Sequence, residues 1–263
     1  MPLDLTDLDR RVLRHAPLAT VICQVRYNVT SAASDPETAR SFQQRLAERG
    51  LFDRLDQIVE STLNVAVAPH VAPAVAQGPL NTGWRLTAAD GTRLVSLLPT
   101  HFAVEATAYN GWEEDFAPLL YEVLDAVVEL VQPVFEQRLG LRYVNQLTHP
   151  EVVEAAEWRG WIDESFLAMA THDELGPMLT FLRQQAILQL DGEARCTVNS
   201  GFSPDPDRDG ALTFLLDFDI AREGTRGFDA AQIRETLDLF NSYALRLFQI
   251  ATSPRLREAL AHG

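Results

Sequence analysis

Two stretches decide the architecture: Leu18-Ala-Thr-Val-Ile-Cys-Gln-Val-Arg-Tyr-Asn28 and Arg138-Leu-Gly-Leu-Arg-Tyr-Val-Asn-Gln-Leu147. In the first, Val21, Cys23, Val25 and Tyr27 alternate with Thr20, Ile22, Gln24 and Arg26. That is the period of two expected of a half-buried strand. The second repeats the Arg-Tyr pair, so Arg26 and Arg142 take matching places. Behind each stretch the same succession of patterns follows, from Thr20 to Pro133 and again from Arg138 to Leu260. A repeat of about 115–120 residues predicts an internal duplication folded into one body.

Working outward, residues 1–15 read as a short helical lead-in, 16–137 as a first β-α-β4-α half and 138–263 as a second. In the first half, Asp35-Pro36 opens a helix running to about Gly50, the acid as cap and the proline at the first helical position. A short helical piece to about Ser61 and a weak strand and loop over 62–80 follow. Asp90-Gly91, between two apolar runs, predicts a hairpin, and residues 101–109 continue the meander. Asn110 with Glu113 has the form of a capping box before a helix whose stripe includes Trp112, Phe116, Leu120, Val123 and Val127. In the second half, 151–172 read as helical and 178–190, 193–202 and 211–221 as strands, the first two joined by Asp191-Gly192. Asp229 caps the last helix, with Gln232 completing a box. The expected class is α+β: one curved antiparallel sheet backed by long helices. This element order resembles the helix-grip, TATA-binding-protein-like architecture.

Composition narrows the chemistry. The chain has 263 residues, 46% of them hydrophobic, enough for a sizeable core. No apolar run reaches the length needed to span a bilayer, and the acidic N-terminus lacks the layout of a signal peptide, so a cytoplasmic location is expected. The 22 basic residues stand against 37 acidic ones, a net charge of −15. That repels a phosphate backbone and makes a basic protein partner electrostatically easier than nucleic acid. All the basic residues are arginines. Without lysine there is no Schiff base, no pyridoxal-phosphate anchor and no Walker-type phosphate loop. Cys23 and Cys196 lie among apolar neighbours and read as core thiols. The six histidines are scattered, with no His-x-x-x-His spacing. Nucleophile elbows and glycine-rich nucleotide loops are absent too, so no cofactor is expected and the pattern points away from catalysis.

Two constellations remain. Asp205-Pro-Asp-Arg-Asp-Gly210 begins like an EF-hand loop, but the twelfth position is Leu216, so Asp205, Asp207 and Asp209 are weak metal candidates. Strand alternation supplies the better one. Gln24 with Arg26, Arg142 with Gln146, Asp217 with Asp219, and Glu105 with Tyr109 each share a strand face. If the halves form one sheet, these residues converge on its helix-free side as an Arg- and carboxylate-lined groove. The alternative is a solvated sheet face with paired charges.

The runs Ala16–Tyr27, Arg138–Asn145 and Phe248–Ser253 resemble a sporadically distributed family of bacterial proteins of similar length. The resemblance brings no catalytic residues. Its patchy distribution implies a defence or toxin–antitoxin-type context. The expected function is therefore a non-catalytic module binding a protein partner, with homodimerisation through sheet edges open. The alternative is a small-molecule binder or enzyme using the groove.

Overall fold

A computed structural model describes residues 2–11, 13–47, 52–66, 74–205, 207–208 and 210–262. The fold is α+β, with one antiparallel sheet of nine strands and, among the described residues, four α-helices. The strands are β1 (Leu18–Tyr27), β2 (Arg54–Ala66), β3 (Ala74–Thr87), β4 (Arg93–Leu98), β5 (His101–Ala106), β6 (Phe135–Leu147), β7 (Leu182–Gln189), β8 (Arg195–Pro204) and β9 (Leu212–Gly227). The helices are α1 (Pro36–Ala47), α2 (Ala117–Leu130), α3 (Ala230–Ala251) and α4 (Pro254–His262).

The strand order is β2-β3-β4-β5-β1-β6-β9-β8-β7. The two strands read first in the sequence are thus central neighbours, paired antiparallel from Leu18↔Asn145 to Tyr27↔Glu136. Each is flanked by the last strand of its own half, β5 beside β1 and β9 beside β6.

Alternation decides which side is covered. Val21, Cys23, Val25 and Tyr27 of β1 join Leu139 and Leu141 of β6 and Phe214, Leu216, Phe218 and Ile220 of β9 in a single apolar core. The helices complete it with Phe42 and Leu46 of α1, Leu120, Val123, Leu124 and Val127 of α2, and Ile233, Leu237, Phe240 and Leu247 of α3. The residues in between, including Gln24, Arg26, Arg142, Asp217 and Asp219, lie outside that cluster.

Glu136 (β6) and Arg222 (β9) point to the covered side and are buried there. Arg222 donates from Nε and Nη2 to the two carboxylate oxygens at 3.1 and 2.9 Å, and from Nη1 to Thr236 Oγ1 of α3 at 2.7 Å. This pair staples the sheet to its longest helix.

The second half departs from the expected β-α-β4-α order. Residues 155–178 form four short 3₁₀ turns instead of a helix, and three strands follow, not four. Val152, Ala155, Trp158 and Ile162 are buried at spacings of three and four, which 3₁₀ turns satisfy as readily as an α-helix. The piece around 54–61 is the edge strand β2. Leu55, Ile58 and Val59 mimic a helical stripe only because an edge strand exposes side chains on both faces. The lead-in is an extended strap: Leu3 N–H donates to Leu190 C=O, Gln249 Nε2 to Asp9 C=O and His15 N–H to Leu260 C=O. Asn110 does not cap α2. Gly111, at φ 132°, precedes a π-turn over Trp112–Phe116, and the Asn110 N–H is taken by the Asp115 carboxylate. The end of α1 near Gly50 lies outside the described residues.

Candidate binding face

The register places most of the anticipated residues together on the face opposite the core. Ile22 pairs with both Glu105 and Arg142, and Arg142 pairs in turn with Asp219. Gln24 lies opposite Ala103 and Gly140, and Gly140 opposite Ala221. Gln146 is on the same side, opposite Leu215. Tyr109 is not. β5 ends at Ala106, and beyond it Tyr109 meets the Tyr143 ring edge-on at 6.1 Å on the covered side, where burial pushes its phenol up to about 12. Its sequence alternation with Glu105 assumed a strand that does not continue.

Ion pairs organise the centre of the face. Arg142 Nε and Nη2 donate to the two oxygens of Asp217, both at 2.8 Å, and Asn199 Nδ2 adds a third donor at 3.0 Å. The Asp217 side chain is 4% exposed and that of Arg142 44%, so the guanidinium shields a nearly buried carboxylate. These hydrogen bonds raise the Arg142 pKa further above its ordinary range.

Arg138 folds flat across Gly140, where an added Cβ would fall 2.4 Å from Nη1. From there Nη2 reaches Asp219 at 3.2 Å and Nη1 reaches Gln24 Oε1 at 3.3 Å. Only glycine at 140 admits this path.

Arg26 is different. It lies directly opposite Arg138 across the β1–β6 pair, an unfavourable juxtaposition of like charges. Arg138 turns away to Asp219, leaving Arg26 exposed and without a hydrogen bond or ion pair among the described residues. On its other side is His101, which is buried. Burial lowers the His101 pKa below 6.5; Glu60, 3.9 Å away, opposes that shift and Arg26 reinforces it.

The charge of the face differs from that of the molecule. By register it carries Arg26, Arg54, Arg85, Arg138, Arg142, Arg183 and Arg195 against Asp56, Glu60, Glu105, Asp217, Asp219 and Glu223. Seven positive and six negative groups make it nearly neutral on a chain of net charge −15. Four of the arginines are spent on Asp56, Asp219, Asp217 and Glu223. Arg26, Arg85 and Arg183 are left without a charged partner among the described residues, and so is Glu105. Arg85 is three strands from Arg26, about 14 Å at ordinary strand spacing. Its own row runs through Ser96 and Ala103, both small and buried, to Gln24, so it is also two residues out of line with Arg26, whose row runs through His101 and Leu98.

The sequence reading missed a cleft of about 470 Å³ on the covered side, between α2 and α3. There Trp112 Nε1 and the Tyr121 hydroxyl both donate to Asp238 Oδ1 at 2.7 Å. Arg10 of the strap closes one end through Ser242 Oγ at 3.2 Å. Trp112 and Asp238 are far apart in sequence, and only the packing of the two helices joins them.

Neither thiol is poised for chemistry. Both cysteines are buried; burial raises Cys23 strongly, and burial with the charges of Asp219 and Asp217 takes Cys196 to about 12. Of the metal candidates, Asp205 accepts from the Asp207 N–H and from Arg208, each at 3.0 Å, and Asp209 lies outside the described residues. Among the described residues no three His, Cys, Asp or Glu side chains gather into a metal site. No described helix is long and apolar enough to cross a membrane. No protein-family model matches the chain, and no curated protein matches its sequence.

Proposed function

We propose that this protein is a non-catalytic binding module that engages a protein partner through its helix-free sheet face. One observation carries the reading: on a chain of net −15 this face is nearly neutral and presents Arg26, Arg85 and Arg183 without a charged partner among the described residues. Free guanidiniums held on a rigid sheet are ready donors for carboxylates or backbone carbonyls. The partner is therefore one that offers acceptors at this face, not a uniformly basic protein attracted by net charge. The strand order reads outward from β1–β6 in the same sense on both sides, which supports a saddle of two related halves. A cytoplasmic role in a defence or toxin–antitoxin-type setting is the context we infer from the family resemblance.

The test is capture from the native host with three baits: wild type, Arg26→Glu with Arg85→Glu, and a helix-side charge reversal such as Glu122→Arg. A partner lost only with the sheet-face double variant supports the proposal. An identical set of captured proteins from all three baits refutes it.

A second reading is favoured by the helix-side cleft. There Asp238 keeps one oxygen without a partner among the described residues, beside two aromatic rings. A small cationic ligand fits that chemistry. Thermal-shift screening of amines, repeated on Asp238→Asn, separates it from the first.

A further inference from the structure

The two outer strands of the sheet are built differently. β2 carries Arg54, Asp56 and Glu60 and a register break between Ser61 and Leu63, the devices by which proteins keep an edge from pairing. β7 has one charged residue, Arg183, no acidic residue and no register break. It pairs with β8 along one side only, and its sequence Leu-Arg-Gln-Gln-Ala-Ile-Leu-Gln is regular through eight residues. Ile187 is 67% exposed, and Met178 and Phe181 just before the strand are 70% and 62% exposed. From Leu175 to Leu190 there is no Asp or Glu, although the whole chain has 37.

We propose that the free edge of β7 pairs antiparallel with β7 of a second copy, fusing two nine-stranded sheets into one. The charge pattern selects this occupant. Two copies of net −15 repel one another almost everywhere, and the stretch around β7 is a surface where an acidic molecule can meet itself without opposing carboxylates. Exposed apolar side chains and a row of unpaired backbone groups then drive association. A two-fold axis perpendicular to the sheet makes the contact self-complementary and keeps both helix-free faces on one side. It also restricts the register: only residues of like alternation can oppose each other. Centred on Gln185, the pairing sets Leu182 against Leu188 of the second copy and Arg183 against its Ile187. No like charges meet.

Light scattering coupled to gel filtration, run over a concentration series, tests this. Wild type is expected as a dimer. Ile187→Arg, which places like charges across the axis, should raise the dissociation constant at least tenfold, whereas Gln57→Arg on the opposite edge should leave it unchanged. Gln185→Cys gives a second readout, because the native thiols are buried: mild oxidation should yield a disulfide-linked dimer. A monomeric wild type at the highest concentration overturns the proposal. So does a dimer indifferent to Ile187→Arg, with far-UV circular dichroism confirming that the variant is folded, and so does failure of Gln185→Cys to cross-link.

Discussion

Replacing Glu136 by glutamine should damage the fold more than any other isosteric change in the charged residues discussed above. The side chains of Glu136 and Arg222 are 1% and 6% exposed, and the guanidinium spends two donors on the carboxylate and one on Thr236. The amide would keep the volume but offer one acceptor where two were used, leaving a buried cation without its counter-charge. Breaking such a pair from one side costs about 3–5 kcal/mol. For a chain of this size each kcal/mol lowers Tm by roughly 2–4 °C, so the expected fall is about 6–20 °C. Arg226 Nε, 4.0 Å from the same carboxylate, does not rescue the variant, since it is itself a cation, and its own ion pair is with Glu193 at 3.0 Å. The joint replacement Glu136→Leu with Arg222→Met removes both charges and should return to within about 2 kcal/mol of wild type, because no desolvated ion remains. Urea unfolding followed by circular dichroism measures all three proteins, with the slope checked for constancy so that midpoints report stability. A Glu136→Gln variant within about 1 kcal/mol of wild type, or a double variant worse than the single one, would refute the reasoning.

The face itself yields three further expectations. Arg142→Ala should cost about 1–3 kcal/mol, because it uncovers an Asp217 carboxylate that is 4% exposed; adding Asp217→Asn should recover part of the loss, and additive losses in urea titrations would argue against a coupled pair. His101 should make stability fall on acidification: its folded pKa lies below 6.5, so the neutral ring contributes stability above that value and the contribution is lost as pH falls through and below it. His101→Asn should flatten the curve of unfolding free energy against pH between about 7 and 5, and a curve as steep as wild type would exclude His101 as the source. Gly201→Ala should destabilise the β7–β8 pair, since an added Cβ would lie 1.9 Å from the Leu182 carbonyl oxygen and φ is 155°; unchanged hydrogen-exchange protection in β7 would contradict this.

How far the sequence could be read depended on which residues met local rules. β1 and β6 were legible because one face of each is buried and the other polar, so alternation reports burial directly. The Asp90-Gly91 turn was legible because Gly91 needs a positive φ of 72°. Asp229 was legible as a cap because its carboxylate accepts the Ala231 and Gln232 N–H groups, a purely local contact. β2 and the 155–178 turns were misread for one shared reason: apolar spacings of three and four do not distinguish an exposed strand, a 3₁₀ turn and an α-helix. Tyr109 was misplaced because alternation holds only while the strand lasts. The pairings Arg142–Asp217, Arg138–Asp219 and Arg222–Glu136 span separations of 75, 81 and 86 residues, and no periodicity carries that information.

The distribution of arginine ties these observations together. In the buried pair with Glu136, and in the shielded pair with Asp217, a planar fork meets both oxygens of a carboxylate at once, a geometry that an ammonium cannot reproduce. Arg138 lies flat over Gly140 for the same reason of shape. The absence of lysine is therefore compatible with the fold at every one of these positions, whereas Arg→Lys at 142 or 222 would replace a two-point contact with one. Arg26 makes no such contact. It stands opposite Arg138 with no counter-charge among the described residues, and like charges across neighbouring strands cost stability. A residue that opposes folding where it stands, on the face that is least acidic, is the one whose charge is best explained by something outside the chain.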